Sequence, residues 1–177
     1  MTDQGKWKRS AWRGLMLRLQ KSSYISKTLR RRILNAIGAD IHPTSVVNHS
    51  CWLGSADIVM GPDSSINCYA FYDGEARLTI DAGVQVAVHA IFITASHRVS
   101  SDPDRRSSAT GDFEQPITVG KGSWLGARCT VLPGVTIAPG CVIGAGAVIS
   151  EDTAPNGLYL SQAIQGGPVR ARRAREL

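Results

Sequence analysis

From Val119 onward the chain repeats with a period of six. Residues 119–154 read VGKGSW, LGARCT, VLPGVT, IAPGCV, IGAGAV, ISEDTA, so Val119, Leu125, Val131, Ile137, Ile143 and Ile149 head successive hexads. The residue two places before each head is Ile117, Ser123, Cys129, Val135, Cys141 or Ala147, and most of these are small. Neither the 3.6-residue period of a helix nor the plain alternation of a long strand gives this pattern. Short strands joined by tight corners do. The head points into a narrow interior, and the residue two earlier shares its face near a corner, where space is limited. Pro133-Gly134 and Pro139-Gly140 supply bends.

The same register runs upstream through Ile41, Val47, Leu53, Met60, Ile66, Tyr72, Ile80, Val86 and Phe92, about fifteen hexads in all. Steps of seven (53 to 60) and eight (72 to 80) call for small corner insertions. A repeat this regular decides the architecture before local propensities do. The register breaks from His97 to Pro116, where HRVSSDPDRRSSATGDFEQP has no head and many polar residues and so should leave the coil as an extended loop.

Length and composition are consistent with one core. The chain has 177 residues, 43% hydrophobic and 19% charged, which is enough to bury a single domain. Its cysteines, Cys51, Cys68, Cys129 and Cys141, lack the density and close pairing of a disulfide scaffold or a CxxC zinc site. Three of them precede a head by two and read as buried thiols. The longest apolar stretch, Cys141 to Ile149, is far short of the roughly 20 residues a membrane-spanning helix needs. A cytoplasmic location is expected, at the inner face of the membrane if the basic end binds there.

The net charge of +6 is unevenly placed. Residues 1–35 hold ten Lys or Arg against Asp3 alone, and residues 170–177 hold four Arg against Glu176, so an acidic body carries two basic ends. Such ends suit an anionic partner. Trp12, Leu15, Met16 and Leu19 recur at helical spacing among the cations, which predicts one or two basic amphipathic helices. They could cap the apolar end of the coil or lie on an anionic membrane.

The hexads resemble those of the hexapeptide-repeat acyltransferases. That resemblance spans about residues 37–155 and implies an all-β fold, a left-handed parallel β-helix with three hexads per triangular coil. Fifteen hexads would make about five coils, a prism about 24 Å tall at roughly 4.8 Å per coil. The expected organisation is a helical segment over 1–36, the β-helix over 37–155 with a loop extruded at 98–116, and a basic tail over 156–177. The likeness is to the galactoside and maltose acetyltransferase branch. The basic leader ending in Ile33-Leu34-Asn35-Ala36-Ile37-Gly38-Ala39 also looks like the polysaccharide O-acetyltransferases, whose acceptors are often lipid-linked or acidic.

The resemblance implies acetyl transfer from acetyl-coenzyme A to a sugar hydroxyl in a homotrimer. His97, which ends LTIDAGVQVAVHAIFITASH just before the loop, matches the catalytic histidine of a Thr-x-x-His-like run. Its imidazole would take the hydroxyl proton as the oxygen attacks. Asn67 matches a position facing the acceptor sugar, although a corner Asn that bonds backbone looks the same in sequence. Asp73 and Glu75 both fall where the family has an acidic residue, with Asp73 preferred. Trp124, Gly126, Ala127, Gly144, Ala145 and Ser150 match positions along the donor's pantetheine arm, where small residues let a ligand approach backbone. The Ala127 amide is a candidate oxyanion donor.

After Pro155 the sequence departs from the family, running NGLYLSQAIQGGPVRARR, but Arg170, Arg172 and Arg173 could still meet the coenzyme phosphates. His42 and His49 read as surface residues. No metal is expected. A zinc enzyme of the gamma-carbonic-anhydrase kind would need His89 and His97 plus a third histidine that has no convincing counterpart. A non-catalytic scaffold that binds through its basic ends is the other alternative. Gly144-Ala145-Gly146 follows the hexad rhythm and no Gly-Lys-Ser/Thr is present, so no nucleotide loop is read; no nucleic-acid partner is expected.

Overall fold

The computed structural model describes residues 3–97, 112–161 and 172–173. Two helices, α1 (Asp3–Leu19) and α2 (Lys27–Ala36), precede a parallel β-helix of five three-sided coils. The first coil is β1 (Asp40–Ile41), β2 (Val46–Val47) and β3 (Trp52–Leu53), and the second is β4 (Ile58–Met60), β5 (Ser65–Ile66) and β6 (Phe71–Tyr72). The third is β7 (Leu78–Ile80), β8 (Gln85–Val86) and β9 (Ile91–Phe92). A hairpin, β10 (Ala95–His97) with β11 (Asp112–Glu114), interrupts the winding. Then come β12 (Ile117–Val119), β13 (Trp124–Leu125) and β14 (Thr130–Val131), followed by β15 (Thr136–Ile137), β16 (Val142–Ile143) and β17 (Val148–Ile149).

The strands stack into three faces. The first is β1-β4-β7-β12-β15, the second is β2-β5-β8-β13-β16, and the third is β3-β6-β9-β14-β17. Every predicted head from Ile41 to Ile149 ends its strand and is buried, as is the residue two before it. On the second and third faces that earlier residue is small apart from Val84, with Ser45, Ser64, Ser123, Cys51, Ala70, Ala90 and Ala147 as examples. On the first face it is mostly large: Ile58, Leu78, Ile117 and Val135.

The corner leading from the third face to the first is therefore roomier than the others, and it is where the sequence inserts. The seven- and eight-residue steps and the hairpin all fall there. Tyr72, a buried head on the third face, aims its hydroxyl into this corner and donates to the Ala76 carbonyl at 2.6 Å, with the Asp57 carbonyl 3.1 Å away. The inserted residues thus satisfy a polar group that an ordinary hexad would leave stranded.

Of the roles foreseen for the basic leader, the capping of the coil is seen. α2 caps the open end: Leu34 is fully buried, and the Asn35 side chain exchanges two 3.0 Å bonds with the backbone of Ile41, acting as a partner for the first strand edge. Arg30 is buried and has no carboxylate partner among the described residues. Its guanidinium donates to the carbonyls of Gln20 (2.6 Å), Ser22 (2.7 Å), Ile25 (2.9 Å) and Val47 (3.2 Å), tying the helix linker to the coil. α1 leaves Trp12, Leu15 and Leu19 exposed.

At the other end the coil runs further than the sequence suggests. β18 (Gly157–Tyr159) adds to the second face beside β16, and β19 (Arg172–Arg173) pairs antiparallel with β18. Among the described residues no helix is long and apolar enough to cross a membrane.

Candidate functional site

The site is built on the two corners that flank the third face. At the roomy corner, chain leaves the coil through β10 and returns through β11, with Ala95 opposite Glu114, Ser96 opposite Phe113 and His97 opposite Asp112. The root of this hairpin is held by Asp73, one coil below. One carboxylate oxygen accepts from the backbone N–H of Thr94 (2.7 Å) and of Ala95 (3.1 Å), while the other accepts a short bond from the Thr94 hydroxyl. The same hydroxyl accepts from the Ala76 N–H at 3.0 Å, and Thr94 is fully buried. A charged acceptor with three donors is a strong anchor.

Three residues beyond Thr94, His97 is exposed. Asp73 therefore spends its carboxylate on positioning the strand that carries His97, and Glu75, the other acidic candidate, is exposed. Thr94 was not singled out from sequence, though the Thr-x-x-His spacing that ends at His97 begins with it.

The other corner, between the second and third faces, carries Asn67 and most of the residues assigned to the donor. Asn67 is half-buried, and its side-chain oxygen accepts from the Cys68 N–H at 2.8 Å. In the fourth and fifth coils this corner bears nothing larger than a methyl group at Gly126, Ala127, Gly144 and Ala145. The N–H groups on either side of Ala127 are used by the coil, that of Gly126 by the Ile143 carbonyl (2.7 Å) and that of Arg128 by the Val88 carbonyl (3.0 Å).

Gly126 is demanded by packing as well: a Cβ there would lie 2.6 Å from the Ala145 nitrogen, whereas one on Gly144 would meet a movable Leu160 methyl at 2.9 Å. Ala127 and Gly144 are half-buried and Ala145 is exposed along this corner, while Gly126 is buried. Trp124 faces outward on the second face, about half exposed, and Ser150 is exposed where the fifth coil leaves the third face. Arg170 lies outside the described residues, and Arg173 is described only as backbone of β19.

A single copy of the chain does not bring His97 together with Asn67 or Ala127, because they stand on opposite edges of the third face. His89 is likewise apart from His97: it occupies the Asn67 corner, its ring stacked on Tyr69 with centroids 5.0 Å apart. Among the described residues no group of three His, Cys, Asp or Glu is arranged to hold a metal ion. His42 is exposed, as expected, whereas His49 is half-buried and engaged with Cys68.

Residues 116–151 match the family described as bacterial transferase hexapeptide (six repeats). The chain is 33% identical over 116 residues to Nodulation protein L of Rhizobium meliloti (strain 1021), an alignment covering 66% of this chain and 59% of that protein. It spans 59%, 54% and 44% of the length of three curated relatives it matches.

Among solved structures, a maltose O-acetyltransferase from Clostridium difficile 630 superposes with a TM-score of 0.72 at 23% identity, over 96% of this chain and 89% of that one. That is a likeness of fold. A hexapeptide-repeat containing acetyltransferase from Vibrio cholerae O1 biovar eltor, complexed with acetyl coenzyme A, superposes with a TM-score of 0.70 at 25% identity, over 94% of this chain and 89% of that one.

Proposed function

We propose that the chain, whose residues 116–151 match the bacterial transferase hexapeptide family, transfers an acetyl group from acetyl-coenzyme A to a sugar hydroxyl. The observation that carries this reading is His97: an exposed imidazole on a hairpin whose root is fixed by Asp73 and Thr94. The named activity of the Vibrio cholerae relative and its bound acetyl coenzyme A support the choice of donor.

In the reaction His97 takes the acceptor hydroxyl proton as its oxygen bonds to the thioester carbonyl carbon. The carbon–sulfur bond then breaks, and the leaving sulfur receives a proton, regenerating the imidazole. Asn67 holds the acceptor, and the Ala127 N–H faces the developing oxyanion. The donor arm lies along Trp124, Gly126, Ala127, Gly144, Ala145 and Ser150, with Arg170 and Arg173 toward its phosphates.

The working unit is a homotrimer. Trp52, Phe71, Ile91 and Val148 point outward on the third face, an apolar strip that suits a neighbouring copy. Side-by-side copies set the His97 corner of one against the Asn67 corner of the next. The acceptor is an envelope or capsular polysaccharide precursor. The exposed Trp12, Leu15 and Leu19 of α1, interspersed with Arg13 and Arg18, rest on the anionic inner face of the membrane where such a precursor is lipid-linked.

A screen of sugars and nucleotide-sugars, followed by release of free coenzyme A, tests the reading. It expects acceptor-dependent release with at least one of them, and release no faster than buffer across the whole panel would overturn it.

A further inference from the structure

A groove of about 570 Å³ opens beside the first two coils, where α2 meets the corner between the first and second faces. This is the corner that the transfer site leaves unused, and the volume is in the range of small-molecule pockets. Its walls are Arg31 and Arg32 of α2, Asp40 of β1, His42 and Pro43 in the turn that follows, and Val59 of β4. Two guanidiniums and an imidazole thus face one carboxylate, on a body that is otherwise acidic. The residue before them, Arg30, is a further cation with no carboxylate partner among the described residues.

The cations of the groove are not used up by the protein. Among the described residues the one ion pair joins Arg77 to Asp57, so Asp40 shares the groove with Arg31 and Arg32 and pairs with neither. Arg31 donates from Nη1 to the Pro43 carbonyl, which pins its guanidinium against the turn and leaves its other N–H groups open. Arg32 is exposed and bonds to no other described residue. His42 is fixed as a donor. Its Nδ1 lies 3.0 Å from Thr44 Oγ1 and accepts from the Thr44 N–H at 3.3 Å, so the neutral ring carries its proton on Nε2. That nitrogen donates whether or not the ring is charged. Two guanidinium forks and a third N–H suit the several oxygens of a phosphate group better than the two of a carboxylate.

We propose that the groove is an anion site for a phosphate group, bound by Arg31, Arg32 and the Nε2–H of His42, with room beside it for part of the molecule that carries the phosphate. The site is separate from acetyl transfer and does not rest on it. It stands at the same end of the column as α1, so two bearers offer the same chemistry: a soluble phosphorylated molecule, and the headgroup of an anionic lipid.

Sodium diphosphate is titrated into the full-length native chain by calorimetry, while the His42 imidazole resonances are followed by NMR. One diphosphate per chain should bind and shift His42 saturably, and sodium acetate at equal ionic strength should not. Arg32→Gln, which removes no bond to the described protein, should weaken binding about tenfold. Asp40→Asn should tighten it, because the carboxylate that opposes the anion is gone. The absence of a saturable His42 shift would overturn the site on the unmutated chain alone. Equal affinity in a folded Arg32→Gln, weaker binding in Asp40→Asn, or the same shift with acetate would overturn it as well.

Sedimentation with phosphatidylcholine vesicles, with and without phosphatidic acid, separates the two bearers. Sedimentation that needs phosphatidic acid, falls in Arg32→Gln and is reversed by sodium diphosphate assigns the site to a headgroup. Equal sedimentation of the native chain and Arg32→Gln, with diphosphate binding intact in the native chain, assigns it to a soluble ligand. None of these readouts uses coenzyme A, so they decide the site whatever the acceptor screen returns.

Discussion

Asp73 and His97 show how one side chain acts through another. The Asp73 carboxylate gathers two backbone N–H groups and one hydroxyl at the base of β10, so the strand that ends in His97 starts from a fixed point. Removing it leaves three donors without their acceptor at a half-buried site, a loss of about 1–3 kcal/mol. Asp73→Ala is expected to lower kcat at least tenfold, to leave KM for acetyl-coenzyme A nearly unchanged, and to speed amide exchange at Thr94 and Ala95. Asp73→Asn should recover part of the lost kcat, because one amide oxygen can still accept. Full kcat in Asp73→Ala would show that His97 needs no such anchor. The residues alone could not have assigned this role, since a carboxylate that meets substrate and one that holds a loop look the same in sequence.

At the level of the coil, the hexad register was nearly the whole story. Each head sits at a strand end and faces inward because a period of six with an alternating pleat leaves it no other orientation. Even the position of the interruption was legible, since the seven- and eight-residue steps lie at the corner that later opens into the hairpin. Three features could not be read ahead. β18 follows a segment with no hexad head, Arg30 is satisfied entirely by backbone carbonyls, and His49 meets Cys68 across 19 residues of chain. Each depends on which coils stack next to one another.

The same stacking makes a sharp prediction. In Gly126→Ala the new methyl would meet the main chain of Ala145 at 2.6 Å and the Ile143 carbonyl oxygen at 2.8 Å, neither of which is a flexible end. Thermal unfolding should show a clear loss of stability, in the range of about 1–3 kcal/mol expected for overpacking. An unchanged midpoint would mean that the fourth and fifth coils are not seated as described.

The whole molecule is one narrow column, so its stability reflects what every coil buries, including thiols. Burial raises the Cys51 thiol from 9.0 to about 11 and the Cys129 thiol from 9.0 to about 12. An unfolded thiol ionises near 9, so above that pH the native state keeps protons that the unfolded chain has released. Their contribution is intact below pH 9 and is lost as pH rises toward 11 and 12. At pH 10 the loss should be about 1 kcal/mol for each thiol. Denaturant midpoints measured between pH 8 and 10 should fall less steeply in a Cys51→Ala, Cys129→Ala double variant than in the unmodified chain. Equal slopes would contradict the burial assigned to these groups.

On the proposed function, acetyl transfer rests above all on His97 acting as the base. The most direct measurement compares coenzyme A release by the unmodified chain and by His97→Ala, with the same acceptor and matched unfolding midpoints. The expected result is a fall in turnover of about a hundredfold or more with the fold intact. Equal turnover in the two proteins would contradict it.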